Sequence, residues 1–131
     1  MAGSLYDEGE NRIANILLGA TPVDGALYLG LYKNVTEPAE TVSLSDLTEV
    51  SGYGYARQSL IRGSWVITAD TAVYAKKTFL ASGGDWGSVT GYFIGTSIDD
   101  SGKLIGLEHF ETAYSVVDTK GIKITPTLVF G

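Results

Sequence analysis

His109 is the one histidine of the chain, and cysteine is absent. Imidazole chemistry, as in a Ser-His-Asp arrangement, would have to pass through that single ring. Thiolate nucleophiles, disulfides and thiolate metal sites are excluded outright. His109 stands between Glu108 and Phe110 in an alternating run. It reads as a strand histidine on the wetter face, and no spacing designates a serine or acid to accompany it. Fifteen acidic residues offer carboxylates for paired glycosidase chemistry, but no signature pairs two of them. Asp99-Asp100-Ser101-Gly102 lacks the distal glutamate and the oxygen count of a calcium loop and reads as a polar hairpin turn. Gly83-Gly84-Asp85-Trp86-Gly87 is followed by a strand, where a phosphate cradle needs a helix and usually a lysine. It reads as a wide turn in which Trp86 either folds over its own glycines or stands out as a partner anchor. Lys76-Lys77 suits a solvated strand edge. Asn34-Val35-Thr36 matches a glycosylation acceptor, in a chain whose start does not read as a secretory signal. These motifs predict no catalytic residue, no cofactor and no metal ligand, and therefore not an enzyme.

Binding is better represented than catalysis. In Ser51-Gly52-Tyr53-Gly54-Tyr55-Ala56-Arg57-Gln58 glycine alternates with tyrosine before a planar cation. Tyr and Arg give large contact area with a polar tip, which suits a recognition surface. The same pattern also suits the start of a strand whose rings pack on the sheet. With Trp86, the rings of Tyr53 and Tyr55 offer a stacking platform for sugars.

The elements that must position these residues follow from composition and period. The chain has 131 residues, 44% of them hydrophobic and only 18% charged, against roughly 25% charged in typical soluble domains. One domain, 1–131, is expected, and disorder is excluded for most of the length. A net charge of −6 speaks against nucleic-acid binding and against docking on an anionic membrane. No apolar run is long enough for a transmembrane helix. Seventeen glycines and eight tyrosines point to a turn-rich, mainly β chain.

A helical segment at about 5–19 is predicted, with its helix at about 7–18. Ser4 and Asp7 are its candidate N-caps in an S-x-x-D box, Ile13, Leu17 and Ala20 share a face, and Gly19 closes it before Thr21-Pro22. Alternation then takes over. Leu27, Leu29 and Leu31 form an apolar strand face opposite Tyr28 and Tyr32. Further strands are expected at about 55–62, 65–68, 73–75, 77–80, 89–95, 103–110, 114–117 and 122–130, the last at an edge or bulged at Pro126. A long connection, about 33–52, carries Leu44 and Leu47 to tack it down. The pattern predicts an antiparallel β-sandwich or barrel-like fold with one short N-terminal helix.

The order of these motifs carries a resemblance. An acidic-capped helix ends in Leu17-Leu18-Gly19. After it come Leu27-Tyr28-Leu29-Gly30-Leu31-Tyr32, Leu47-Thr48-Glu49, Gly54-Tyr55-Ala56-Arg57-Gln58, Trp65, Thr78-Phe79-Leu80-Ala81, Gly91-Tyr92-Phe93-Ile94 and Gly121-Ile122-Lys123-Ile124-Thr125-Pro126. Over nearly its whole length the chain resembles small virion structural proteins of tailed bacteriophages. The resemblance implies a virion location and an accessory structural role, first a capsid decoration (cement) protein contacting major capsid subunits as a homo-oligomer, a trimer. A tail or head-to-tail joining component is the alternative. A carbohydrate-binding host-attachment module is a reading from another class. Partner contacts are expected from the N-terminal segment through Leu5, Tyr6, Ile13 and Leu17, from the 33–55 region through Tyr53, Tyr55 and Arg57, and from Trp86. Arg57 is expected to pair with an acid across the interface.

Overall fold

The computed structural model describes residues 3–130. Met1, Ala2 and Gly131, which belong to the expected contact segment and β body, lie outside the described residues. The elements are β1 (Gly3–Leu5), α1 (Asp7–Leu18), β2 (Ala26–Tyr32), β3 (Gln58–Ile61), β4 (Val66–Thr68), β5 (Thr71–Val73), β6 (Lys77–Leu80), β7 (Gly87–Gly95), β8 (Leu104–Val116), β9 (Gly121–Ile124) and β10 (Thr127–Val129). Eight strands form one sheet in the order β3-β2-β7-β8-β1-β10-β5-β4, and β6 pairs with β9 in a second. Neighbours run antiparallel except β1 and β10, which are parallel.

One connection dictates the shape. β3 and β4 are the two ends of the large sheet, yet residues 62–65 alone join them. Laid flat, eight strands span about 34 Å at the usual spacing, whereas that connection reaches under about 20 Å even when extended. The sheet therefore curls until its ends approach, giving the mainly β, barrel-like architecture with a short N-terminal helix that the alternation predicts. Among the described residues no helix is long and apolar enough to cross a membrane.

Several local expectations change. Ser4 and Leu5 lie in β1 rather than in the helical segment, and the N-cap of α1 is Tyr6, with no side-chain cap. Asp7 falls inside the first turn with Glu8 and Glu10, and Glu8 accepts the Leu104 N–H at 2.9 Å. Gly19 ends the helix with extended dihedrals, so no left-handed cap is used. The expected strands at 103–110 and 114–117 are one continuous β8. The expected final strand is divided at Pro126, which has no ladder donor, into β9 and β10 in different sheets. At 55–62 only Gln58–Ile61 is strand, because Gly52, Tyr53 and Gly54 all take positive φ and turn the chain.

Both faces of β2 are covered, the tyrosine face as well as the leucine face. Leu29 and Leu31 enter the larger core cluster with Trp86, Val89, Tyr92, Ile94 and Ile105. Tyr32 is fully buried on the other face, beneath Leu44 and Leu47 of the long connection and beside Phe93, Leu104 and Leu107. Its ring lies where a side chain on Gly91 would project, and Phe93 does the same over Gly30. These are cross-strand partners, Tyr32 with Gly91 and Gly30 with Phe93, so each glycine admits the ring opposite it.

Helix α1 packs on β8 through Gly9, its buried residue. A Cβ there would overlap the Ile105 backbone. Gly9→Ala gains about 1 kcal/mol of helix propensity, but overpacking against backbone costs typically 1–3 kcal/mol or more. A net loss of about 1 kcal/mol is expected in urea denaturation. A second expectation concerns alkali. Burial raises the Tyr6 phenol from 10.0 to about 12 and raises those of Tyr32, Tyr55 and Tyr92 as well. Above pH 10 the unfolded chain then binds fewer protons than the folded one, so stability falls as pH rises through the folded values and is unaffected by these groups at lower pH. The phenolate absorbance of these four rings and the loss of far-ultraviolet ellipticity should rise in one transition.

Candidate assembly surface

Arg57 follows a tight turn and directly precedes β3. A bridge between Tyr32 and Glu49, supported by Lys33 N–H to Thr48 O at 2.7 Å and Val50 N–H to Leu31 O at 3.1 Å, holds the end of the long connection beside β2. Glu49 thereby meets the guanidinium. Nε donates to Glu49 Oε2 at 2.9 Å and one Nη to Glu49 Oε1 at 2.7 Å. That Nη also donates to Asp100 Oδ1 at 2.6 Å, and the other donates to the Ser97 and Asp99 carbonyls at 3.0 and 2.8 Å. These bonds occupy all five N–H donors of the fork, and the charge sits 4.9 Å from the centroid of Phe93. Burial works against the Arg57 charge, but the hydrogen bonds it donates to Glu49 and Asp100 more than offset that and raise the pKa. Asp99 closes the adjoining turn, accepting from Ser97 Oγ and from the Ser101 backbone and hydroxyl. Those bonds, Ser101 foremost, lower its carboxyl pKa.

Arg57 is thus an internal clamp, which corrects the expected pairing across an interface. Trp86 is buried at 3% exposure, with Nε1 donating to the Tyr53 carbonyl at 3.1 Å. It packs in the larger core cluster instead of standing out as a partner anchor, and the ring that lies over Gly84 of its turn is that of Tyr53. Tyr55 is half-buried. Its hydroxyl donates to Glu49 Oε2 at 2.5 Å and accepts from Leu31 N–H at 2.9 Å, and its ring meets Trp86 edge-on at 88°. Tyr53 is the exposed ring of the three. A coplanar sugar platform of Tyr53, Tyr55 and Trp86 is therefore overturned. The 33–55 region is ordered by its own body, through Leu44, Leu47, Val50 and Glu49.

The N-terminal residues divide similarly. Tyr6 is buried, bonded through its hydroxyl to the Pro38 carbonyl, which corrects its expected role as a contact. Leu5 is half-buried against the larger core cluster. Leu17 is exposed. Ile13 lines an apolar groove where the sheet ends approach each other, with Ile16, Val23, Leu27, Trp65 and Phe130. That depression, ≈ 290 Å³, adjoins another of ≈ 390 Å³ with Ile67 and Ala72 on its wall. Leu27, Arg62, Trp65, Leu128 and Phe130 are common to both. Arg12 is paired there with Asp24 at 2.7 Å. Of the expected contact residues only Ile13 belongs to this groove. Trp65, Ile67 and Phe130 carry no joint signal in the sequence, since the curl of the sheet assembles them.

A second groove, ≈ 600 Å³ and more polar, lies between β8 and β9 with Glu108, Phe110, Tyr114 and Lys123 on its walls. Burial raises the Glu108 carboxyl pKa. His109 Nδ1 is 3.0 Å from the Tyr32 hydroxyl, which lies 3.2 Å from the Glu108 carbonyl. A phenol therefore occupies the ring nitrogen that an acid would hold in a triad. Among the described residues no three His, Asp or Glu side chains are grouped to hold a metal ion.

A family model described as Podophage GP4 fiber I protein gp80 matches residues 4–128. No curated protein matches the chain.

The clamp has a measurable hierarchy. Arg57→Ala leaves Glu49 with the Tyr55 hydroxyl as its remaining donor and the Ser97 and Asp99 carbonyls without theirs, and is expected to cost about 3–5 kcal/mol. Asp100 is 56% exposed, so Asp100→Asn should cost under about 1 kcal/mol. Urea denaturation of both variants checks the order.

Proposed function

The chain belongs to the Podophage GP4 fiber I protein gp80 family, a family of phage virion structural proteins, and from that premise we propose that it is a non-enzymatic subunit of the fibre apparatus. It works by docking on other virion proteins through the apolar groove at the ends of its curled sheet. The match over residues 4–128 carries the reading, and the groove supplies its means. Trp65 and Phe130 present apolar surface there, with a rim of charge at Arg12, Asp24 and Arg62, the arrangement of an interface with an apolar centre. The non-catalytic part of the proposal rests on His109, whose Nδ1 is engaged by Tyr32.

A capsid decoration subunit on the major capsid protein is the second reading, and a tail or head-to-tail joining component is a close relative of the first. The small size and the exposed groove favour each of them, and particles separate them. Gold label against this chain on purified virions should cluster on fibres at the tail vertex. Label spread over the head would establish the decoration reading instead, and unlabelled particles would overturn both. Phe130→Asp, placing a charge in the groove, should fold as the parent does by circular dichroism and fail to enter particles. Unimpaired entry would remove the groove from the proposal.

A further inference from the structure

β8 and β9 follow one another in the chain across a turn that the Lys120 N–H closes onto the Val117 carbonyl at 3.0 Å, yet they do not zip into a hairpin. β8 is laddered to β7 and β9 to β6, in different sheets. The two strands therefore splay, and the more polar groove of ≈ 600 Å³ opens between them, within the roughly 300–1,000 Å³ of small-molecule sites. Each wall is backed by its own ladder, so the groove is built into the fold. Its walls differ in chemistry. Glu108, Phe110 and Tyr114 stand at even positions of β8 and share the face turned to the groove. The Phe110 and Tyr114 rings meet edge to face at 5.2 Å and 89°, and Tyr114 is 55% exposed. Phe110 also lies 6.2 Å from the buried Tyr92 ring, which anchors the pair to the core. On the other wall Thr78 and Lys123 are exposed cross-strand partners of β6 and β9, with Thr125 two residues further on.

We propose that this groove binds a neutral sugar, with a pyranose ring seated on Tyr114 and its hydroxyls shared between Glu108 and the Thr78–Lys123–Thr125 wall. A pyranose presents a face of C–H groups and a girdle of hydroxyls. The face packs on an exposed aromatic ring as other apolar surface does. Each hydroxyl both donates and accepts, so the girdle serves a carboxylate that accepts and an ammonium that donates at the same time, in charge-assisted bonds on both walls. A hydroxyl donating to Glu108 also offsets the burial that raises its carboxyl pKa. Other ligand classes meet a mismatch. A phosphate or nucleic acid faces Glu108 on a chain of −6, an organic cation faces Lys123, and a purely apolar group would leave Glu108 covered without a donor. The site goes beyond the docking reading: among the described residues it shares none with the apolar groove. It also uses none of Tyr53, Tyr55 and Trp86, the sugar platform that the fold takes apart.

Methyl glucoside, methyl galactoside, methyl mannoside and N-acetylglucosamine, titrated into the full chain and followed by saturation-transfer and chemical-shift NMR, test the assignment. At least one should bind saturably, with its ring protons receiving the transfer. Tyr114→Ala should weaken that sugar about tenfold, and Glu108→Gln, which keeps the shape and removes the charge, about fivefold. Tyr114 is exposed, so circular dichroism and the thermal midpoint of its variant should match the parent. Tyr53→Ala removes the exposed ring of the other candidate platform and should leave affinity unchanged. Saturation by none of the four sugars, unchanged affinity in Tyr114→Ala, or an equal loss in Tyr53→Ala would overturn the inference. Phe130→Asp should bind the sugar as the parent does. Its entry into particles therefore reports on the docking reading alone, and either proposal can fail without the other.

Discussion

The five-donor engagement of Arg57 is the interaction on which the remaining structure leans. It joins segments far apart in the chain: the end of the long connection at Glu49, the start of β3, and the turn at Ser97–Asp100 between β7 and β8. A buried guanidinium is tolerable only when every donor is met, because an unpaired charge in a low-dielectric site costs several kcal/mol. Here the demand is mutual. Glu49 is held by Arg57 and Tyr55, and Tyr55 in turn takes the Leu31 N–H. The clamp thus reaches β2 and, by the bridge at Tyr32, fixes the connection that roofs the second core cluster.

Under that roof the packing depends on missing side chains as much as on present ones. Tyr32 and Phe93 lie flat across the strands opposite them because Gly91 and Gly30 leave the space. Gly9 does the same between α1 and β8. Each close approach makes a large ring or a helix axis part of the sheet's own surface, which is how a chain of this size covers both faces of β2.

Much of this was legible from the residues alone. The period of Ile13, Leu17 and Ala20 marks the helix, and the alternation from Leu27 to Tyr32 marks β2. Pro126, with no N–H, marks an irregularity in the last strand, and only the fold shows that it divides β9 from β10 into different sheets. Those signals are local. The role of Arg57 was not legible, because its partners lie eight and more than forty positions away and nothing in its neighbours distinguishes an internal clamp from a surface cation. The burial of Tyr32 was not legible for a related reason: the alternation shows two faces, and only the fold of the long connection decides that both are covered. The groove was the least legible feature. Ile13, Trp65, Ile67 and Phe130 meet because the sheet curls, and curling follows from strand order, which periodicity does not encode.

The parallel pairing of β1 with β10 has a mechanical consequence. Gly3 stands opposite Leu128 and Ser4 opposite Val129, with both strands running the same way. Tension applied at Gly3 and at Phe130 therefore pulls the two strands lengthwise past one another. Their hydrogen bonds lie across the load and must yield together, whereas an antiparallel hairpin pulled at its open end parts one bond at a time. β1 is also held by β8 on its other side and β10 by β5, so the loaded pair sits inside the sheet. A chain strained from end to end meets its stiffest resistance at that seam, before the core is disturbed.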